Sequence, residues 1–426
     1  MSKKIPITAA VSQTPLPESI KIKSNTISGK ELDIVDGFAF LEYHENIFSD
    51  TIRVNYQFVD TGKNIQRGSV RETLPLYNSE DIEFVFQDGN DEKIKVKLIV
   101  NENATINQTA NTSVILLKCI SEEMLRNECE EAIIKDSYQG LISDHVKSIV
   151  KNNLKSEKNV DAENGSNYNY VGNRHKALYT LNWLSKHDTP DKKGKSAGFL
   201  FYETSEGYKY KSIDFLMSQK QKKSFIFTDT IDFNDKQYDG KILNLSLGTN
   251  FDAKTKLRSG IVKNELVTFN PRERKFGKKS KEEKSDANAG KDFALFNKKF
   301  MSCVTRTTFA MTDEGSQNTE GTTKQQVEKN FKTNYDIENI GNQAIKRYNE
   351  IDVQKMQITI AGDFSLHIGD LIFIDIGSLT EENKVDKFVG GKYMISDLCH
   401  RMDSNGVFTK LNLCRDSFRR DGKAQI

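Results

Sequence analysis

Proline is scarce in this 426-residue sequence, with six residues, while Phe (25) and Tyr (14) are plentiful. That mix suits a strand-rich chain. Cysteine is also sparse. Cys119, Cys129, Cys303, Cys399 and Cys414 are odd in number and form no C-x-x-C pair. The pattern argues against a disulfide framework or a zinc site and fits synthesis in a reducing cytosol. Charge of one sign is missing too: 62 Lys+Arg against 60 Asp+Glu leaves a net charge of +2, which gives no global drive toward nucleic acid or an anionic membrane. No apolar run approaches the roughly 20 residues that would span a bilayer. Met1 to Ala10 lacks the apolar core of a secretory signal.

What the chain does have is alternation. Residues 1–30 read as an extended arm, because Thr14-Pro15-Leu16-Pro17 forbids regular helix. Residues 31–121 read as all-β. Ile52, Val54, Tyr56 and Phe58 alternate with Arg53, Asn55 and Gln57, the period of a half-buried strand. Ile82, Phe84 and Phe86 repeat it, Asp88-Gly89-Asn90-Asp91 supplies a turn, and Ile94, Val96 and Leu98 return. Val114–Ile120 is a continuous apolar run that predicts a strand buried on both faces.

The period then changes. Ser121 is a candidate N-cap, followed by Glu122 and Glu123 in a first helical turn. Helical spacing follows at Met124, Leu125, Cys129 and Ala132, and again at Ile142, Val146, Ile149 and Val150. Residues 155–172 read as loop. Ala177, Leu178, Leu181 and Leu184 predict a short amphipathic helix, and Phe199–Ser212 a hairpin around Ser205-Glu206-Gly207. Further strands are predicted at Phe225–Thr228, Ile242–Leu247 and Ile261–Phe269. Residues 271–295 and 312–326 read as loops, the first charged and mobile. Ile337, Ile340, Ala344, Tyr348 and Ile351 mark one face of a helix. The C-terminal part is β again. Met356, Ile358 and Ile360 alternate, Leu371–Ile376 is a strand, and Asn405-Gly406 centres a hairpin. That turn would set Leu413 against Leu398, Leu411 against His400 and Thr409 against Met402. Cys399 and Cys414 would then be diagonal neighbours, too far apart for a disulfide.

The organisation read from this is α+β and β-rich. It comprises an arm at 1–30, a β segment at 31–121 and an α/β insertion at 122–225. Residues 226–353 hold strands, a long charged loop and a helix. A second β segment at 354–418 and a tail at 419–426 complete it.

Chemistry is mostly missing. Walker, G-x-G-x-x-G, G-x-S-x-G and H-E-x-x-H patterns do not occur. Gly277-Lys278-Lys279-Ser280 lacks the upstream Gly of a phosphate loop and reads as solvated loop. His44, His145, His175, His187, His367 and His400 never stand at i, i+2 or i, i+4, so no local chelate exists. Asp363, His367 and Asp370 are close enough to chelate a cation, but Gly362 and Gly369 favour tight turns instead. His400 lies on an apolar strand face and reads as structural. Glu122/Glu123, Glu130/Glu131 and Glu381/Glu382 read as helix and loop charges and not as a glycosidase pair. Arg272–Lys284 carries seven cations against three carboxylates. It reads as solvated loop, with contact to DNA or an acidic partner as the sharper option. Phe276 is the lone aromatic there, which argues against stacking on single strands. No catalytic, cofactor-binding or metal residue is assigned, and no cofactor is expected.

Three ordered stretches carry a family resemblance. The first is Leu181-Asn182-Trp183-Leu184, then Ala197 to Thr204 and Glu206 to Asp214. The second is Arg258-Ser259-Gly260 running into Lys263 to Pro271. The third is a helix from about Ile337, then Phe364 to Asp370, then Gly391 to Asp397 and the terminal hairpin. Their order and spacing resemble the baseplate central hub proteins of T-even-type contractile phages, over roughly residues 31–418. The resemblance implies a non-enzymatic, structural homotrimer in the virion tail baseplate. Each subunit would supply two tube-type β-barrels, here 31–121 and 354–418, giving a pseudo-sixfold ring. That ring would adapt a sixfold tail tube to a threefold spike and leave a channel for DNA. Implied partners are the spike or tail lysozyme protein, the tube or its initiators, wedge proteins and a tape-measure protein. Neither tight nucleic-acid binding nor membrane insertion is implied. The alternatives are the hub of a cellular contractile injection system, or a peptidoglycan- or carbohydrate-degrading tail enzyme.

Overall fold

A computed structural model describes residues 17–62, 68–191, 196–228, 237–248, 252–271, 274–279, 303–312, 320–322, 325–326, 337–377, 385–386 and 388–416. The period-two stretches become strands because alternation buries one face of each. The N-terminal half holds β1 (Ser19–Lys23), β2 (Glu31–Asp33), β3 (Phe38–Asn46), β4 (Arg53–Asp60), β5 (Asp81–Gln87), β6 (Lys93–Gln108) and β7 (Ser113–Ile120). Part of the expected arm is therefore sheet: β1 pairs with both β2 and β5 and buries Ile20 and Ile22 completely.

The middle of the chain holds β8 (Ser137–Tyr138), β9 (Val160–Ala162), β10 (Tyr170–Val171), β11 (Phe199–Thr204) and β12 (Gly207–Ser212). Helices Ile142–Asn152 and Ala177–Ser185 bury the apolar stripes read from sequence. Next come β13 (Lys223–Phe227), β14 (Gly240–Leu247), β15 (Asn264–Asn270), β16 (Lys275–Lys279), β17 (Arg306–Met311) and helix Ile337–Glu350. The chain ends in β18 (Gln354–Ala361), β19 (Leu371–Ile376), β20 (Gly391–Asp403) and β21 (Gly406–Arg415).

Six of these strands close into a mixed barrel in the order β19-β13-β14-β18-β21-β20, with β20 returning to β19. The contacts of β13 with β14 and β19 are parallel and the others antiparallel. Two of the six strands, β13 and β14, come from upstream of residue 354. The barrel continues directly into the N-terminal sheet. β20 pairs with β3 from Asp397↔Asn46 to Asp403↔Phe40, and the order runs on through β4-β7-β6-β5-β1-β2. One apolar cluster spans both β-rich halves and takes in Leu200, Tyr202, Ile213, Leu216 and Met217 from the insertion. A second cluster belongs mainly to the α/β insertion.

Several local expectations are corrected. β7 is buried on one face only, through Ile115, Leu117 and Cys119, because Lys118 points outward to Glu102. The helix after Ser121 stops at Arg126, and the Ser121 side chain makes no cap bond. Its hydroxyl is taken by Glu203 instead. The expected loop at 155–172 contains β9 and β10 and buries Tyr168 and Tyr170. Of the expected mobile loop at 271–295, Lys275–Lys279 is strand β16; residues 272–273 and 280–295 lie outside the described residues.

The terminal hairpin turns at Ser404-Asn405, not Asn405-Gly406. Asp403 pairs with Gly406, Met402 with Val407, His400 with Thr409 and Leu398 with Leu411. The cause is the Asp403 carboxylate, which accepts the Asn405 N–H at 2.8 Å and starts the turn one residue early. The slip amounts to two residues, so every side chain keeps its face. Cys399 then faces Lys410 while Cys414 faces Met394, which separates the two thiols along the ladder.

Candidate functional site

The α/β insertion is fixed to the N-terminal sheet through two buried carboxylates. Glu203 lies at the end region of β11 with no exposed side-chain surface. Its Oε2 accepts the Ile52 N–H at 3.0 Å and the Ser121 hydroxyl at 2.6 Å, and its Oε1 accepts Lys158 Nζ at 2.6 Å. Ile52 precedes β4 and Ser121 follows β7, so one carboxylate ties together three distant segments. Burial pushes the Glu203 carboxyl up, and neighbouring Glu123 adds to that, against the pull of Lys158. Burial also opposes the Lys158 ammonium, yet Glu203 and Glu123 together hold its pKa above the usual lysine value. Lys158 bridges both acids, reaching Glu123 Oε2 at 2.6 Å.

Glu45 on β3 is the second staple. Its carboxylate accepts the Tyr43 hydroxyl at 2.6 Å, the Ser205 N–H at 3.1 Å and the Ile368 N–H at 3.1 Å. His367 Nδ1 lies 3.1 Å away. This joins β3, the β11–β12 turn and the loop before β19. Burial works against His367 as a cation, but Glu45 more than offsets it and raises the imidazole pKa.

Two buried guanidiniums complete the frame. Arg347 on helix Ile337–Glu350 reaches Asp214 through Nε at 2.7 Å and Asp416 through Nη1 at 2.9 Å. Arg415 donates to Gln354 Oε1 and to the carbonyls of Gly390 and Phe388, and lies 4.5 Å over the Tyr393 ring. Such networks specify geometry because every broken contact would strand a buried charge.

The residues singled out for chemistry do not converge. Asp363 is held by Lys223 and caps Ser365, while Asp370 takes Lys222 at 2.7 Å and the His367 N–H at 2.9 Å. Both carboxylates therefore serve turns and lysines. His400 is fully buried between Tyr43 and Phe364, with Nδ1 2.9 Å from the Thr409 hydroxyl. Burial lowers its pKa well below the usual value, which keeps it neutral. His145 Nε2 meets the Tyr168 carbonyl at 2.8 Å, again inside a core. Glu122 pairs with Arg126, Glu130 with Lys135 and Glu131 with Lys155. Glu381 and Glu382 lie outside the described residues, as does Ser280. Among the described residues no group of three or more His, Cys, Asp or Glu could hold a metal.

The two staples are not legible in the sequence, because a Glu in a strand looks solvated until its donors are known. An apolar sheet face is equally hidden. In the three-stranded sheet β16-β15-β17, Phe269 faces Phe276 on one side and Met311 on the other, and Val267 faces Phe309. The signal was present as period two at Phe309 and Met311. Separately, a groove of 1090 Å³ runs beside the exposed Phe48, between the outer face of β3–β4–β7 and helix Glu122–Arg126.

No family model matches the chain. In sequence, a stretch of 67 residues is 28% identical to the probable baseplate hub protein gp334 of Vibrio phage KVP40; it spans 16% of this chain and 16% of that protein. In structure, the 43 kDa tail protein of prophage MuSo2 from Shewanella oneidensis aligns with a TM-score of 0.55 and 11% identity, covering 94% of this chain and 99% of that one. The tail protein from Neisseria meningitidis MC58 aligns at 0.56 and 8% identity, covering 94% and 97%. The chain thus resembles a phage tail baseplate hub protein in sequence over that stretch, and over nearly its whole length it has the fold of phage tail proteins.

Proposed function

We propose that this chain is a structural, non-enzymatic hub of a contractile phage tail baseplate. It forms a homotrimer whose two β-rich halves per subunit build a pseudo-sixfold ring between tail tube and central spike, with a channel for DNA. The observation that carries this reading is the β20–β3 ladder. It welds the closed barrel side by side to the N-terminal sheet within one chain, as a ring of paired units requires. The hub-protein match and the tail-protein fold support it.

In this reading residues 31–121 are the first tube-type unit and 122–225 the insertion that faces other baseplate proteins. The second unit is 354–418 with β13 and β14 added. A closed ring needs heterologous contacts, in which one edge of each subunit meets a different edge of its neighbour. The buried polar staples keep the insertion from swinging relative to the ring. Its partners are the spike, tube, wedge and tape-measure proteins of the same tail.

The test is the mass of the purified full chain in solution by light scattering, alone and with the spike protein of the same phage. A trimer, or a complex holding three copies, is expected. A monomer that persists at high concentration with the spike present overturns the reading.

A further inference from the structure

Three parts of the molecule meet at one imidazole. His367 lies in the loop before β19, and only 12% of its side chain is exposed. Its Nδ1 is 3.1 Å from Glu45 Oε1 on β3, and its Nε2 is 3.9 Å from Glu206 Oε1 in the β11–β12 turn of the insertion. Ser205, next to Glu206, donates its N–H to the same Glu45 oxygen at 3.1 Å. The His367 N–H goes to Asp370 Oδ2 at 2.9 Å and the Ile368 N–H to Glu45 Oε2 at 3.1 Å. The backbone on both sides of the ring's attachment is therefore fixed, and the ring stays between the two carboxylates.

A neutral imidazole carries one N–H and one lone pair, whereas the imidazolium carries two N–H groups. With a carboxylate oxygen at each nitrogen, only the imidazolium offers a proton to both. The Glu45 side chain has no exposed surface, so the Nδ1 proton has no water to replace as partner. The neutral ring keeps that proton and turns the Nε2 lone pair toward Glu206, which replaces an attraction at the turn by a repulsion. The remaining charged neighbours are few. Asp370 on the same loop favours the cation, while Lys222, ahead of β13, opposes it and is itself paired with Asp370 at 2.7 Å. His400 on β20 is kept neutral by burial first and by the His367 charge second. Lys209 on β12 reaches Glu206 Oε2 at 2.9 Å and, ahead of His367, holds the Glu206 carboxyl below its ordinary value.

We infer that His367 is a proton-controlled latch: its imidazolium holds the β11–β12 turn of the insertion against β3 and the loop before β19, and loss of the proton loosens the turn. The direction in pH follows from the balance at the ring. Burial works against the cation, but Glu45 outweighs it, so the folded pKa lies above the ordinary histidine value. A folded pKa above the unfolded one means a latch fully closed below about pH 6.5 that opens as pH rises through the folded value. The inference stands apart from the trimer reading, since a monomer carries the same junction.

The test uses the full chain and two readouts that linkage requires to agree. An imidazole NMR titration, with the His367 signal assigned by its absence from His367→Gln, should give a pKa above about 6.5. Glu206→Gln should lower that pKa by at least about 0.3 unit, the size expected of a partly exposed pair. Hydrogen exchange at the Ser205 amide, taken relative to the unstructured-chain rate at each pH, should lose at least about twofold in protection between about pH 6 and 8.5, which is the same 0.3 unit as a ratio. His367→Gln should abolish that pH dependence. Should His367→Gln fail to fold, Glu206→Gln carries both readouts, because its side chain is 57% exposed and the His367 signal is then the one that moves. A His367 pKa at or below about 6.5, no imidazole shifted by Glu206→Gln, or Ser205 protection that stays level across the titration would each overturn the inference. None of these outcomes bears on solution mass, so the hub reading stands or falls separately.

Discussion

Removing the Glu203 side chain should loosen the joint between the α/β insertion and the N-terminal sheet more than any surface change. In Glu203→Ala the Ile52 N–H loses its 3.0 Å acceptor and the Ser121 hydroxyl its 2.6 Å acceptor, both at buried positions. Leaving one buried donor unsatisfied costs about 1–3 kcal/mol. Lys158 keeps Glu123, so the ammonium is not fully abandoned. The sum falls at about 4 kcal/mol, within the range of about 3–5 kcal/mol for breaking a buried pair. Glu203→Gln preserves the shape and one acceptor oxygen, and should cost about half as much. The assay is native-state hydrogen exchange read at the Ile52 amide, which reports opening of this joint and not global unfolding. At about tenfold per 1.4 kcal/mol, Glu203→Ala should speed that exchange by nearly three orders of magnitude. An acceleration below about tenfold, or a Gln variant as fast as the Ala variant, would refute the argument that Glu203 is a buried staple.

Asp188 gives a pH signature. Burial raises its carboxyl to about 6, although Ser166, Thr189 and Tyr210 all donate to it. A folded pKa above the unfolded value means stability that is full below about pH 4 and declines as pH rises through about 6. Two units at 1.36 kcal/mol each make this about 3 kcal/mol. Asp188→Asn should remove that part of the slope in urea melts taken from pH 4 to 7.5. His400 has the opposite sign: its lowered folded pKa gives stability that is present above about pH 6.5 and lost on acidification, so His400→Gln should flatten the acid limb of the same curve. Asp403→Ala should cost about 1 kcal/mol in thermal melts, because it removes the Asn405 cap and one Arg401 contact at an exposed hairpin tip. No effect there would mean that Asn405 sets the turn unaided.

Which residues share a face is legible from periodicity alone. Val54, Tyr56 and Phe58, or Met356, Ile358 and Ile360, point to a core wherever their strands go, because the strand period is two. The stripes at Ile142–Val150 and Ala177–Leu184 fixed two helices in the same way. Even the displaced hairpin kept its faces, since its slip was even.

Tertiary structure decided who pairs with whom. Period two is silent on partners, so nothing local could bring β13 and β14 into the barrel or join β20 to β3 across more than 350 residues. The fate of Glu45 and Glu203 was equally hidden, because a carboxylate is buried only when its donors arrive. Those donors come from Ile368, 323 residues away, and from Ile52, 151 residues away. The aromatic face was hidden for the same reason. Phe276 stands alone among lysines in the sequence; the sheet sets Phe269 of β15 beside it and Met311 of β17 beyond that.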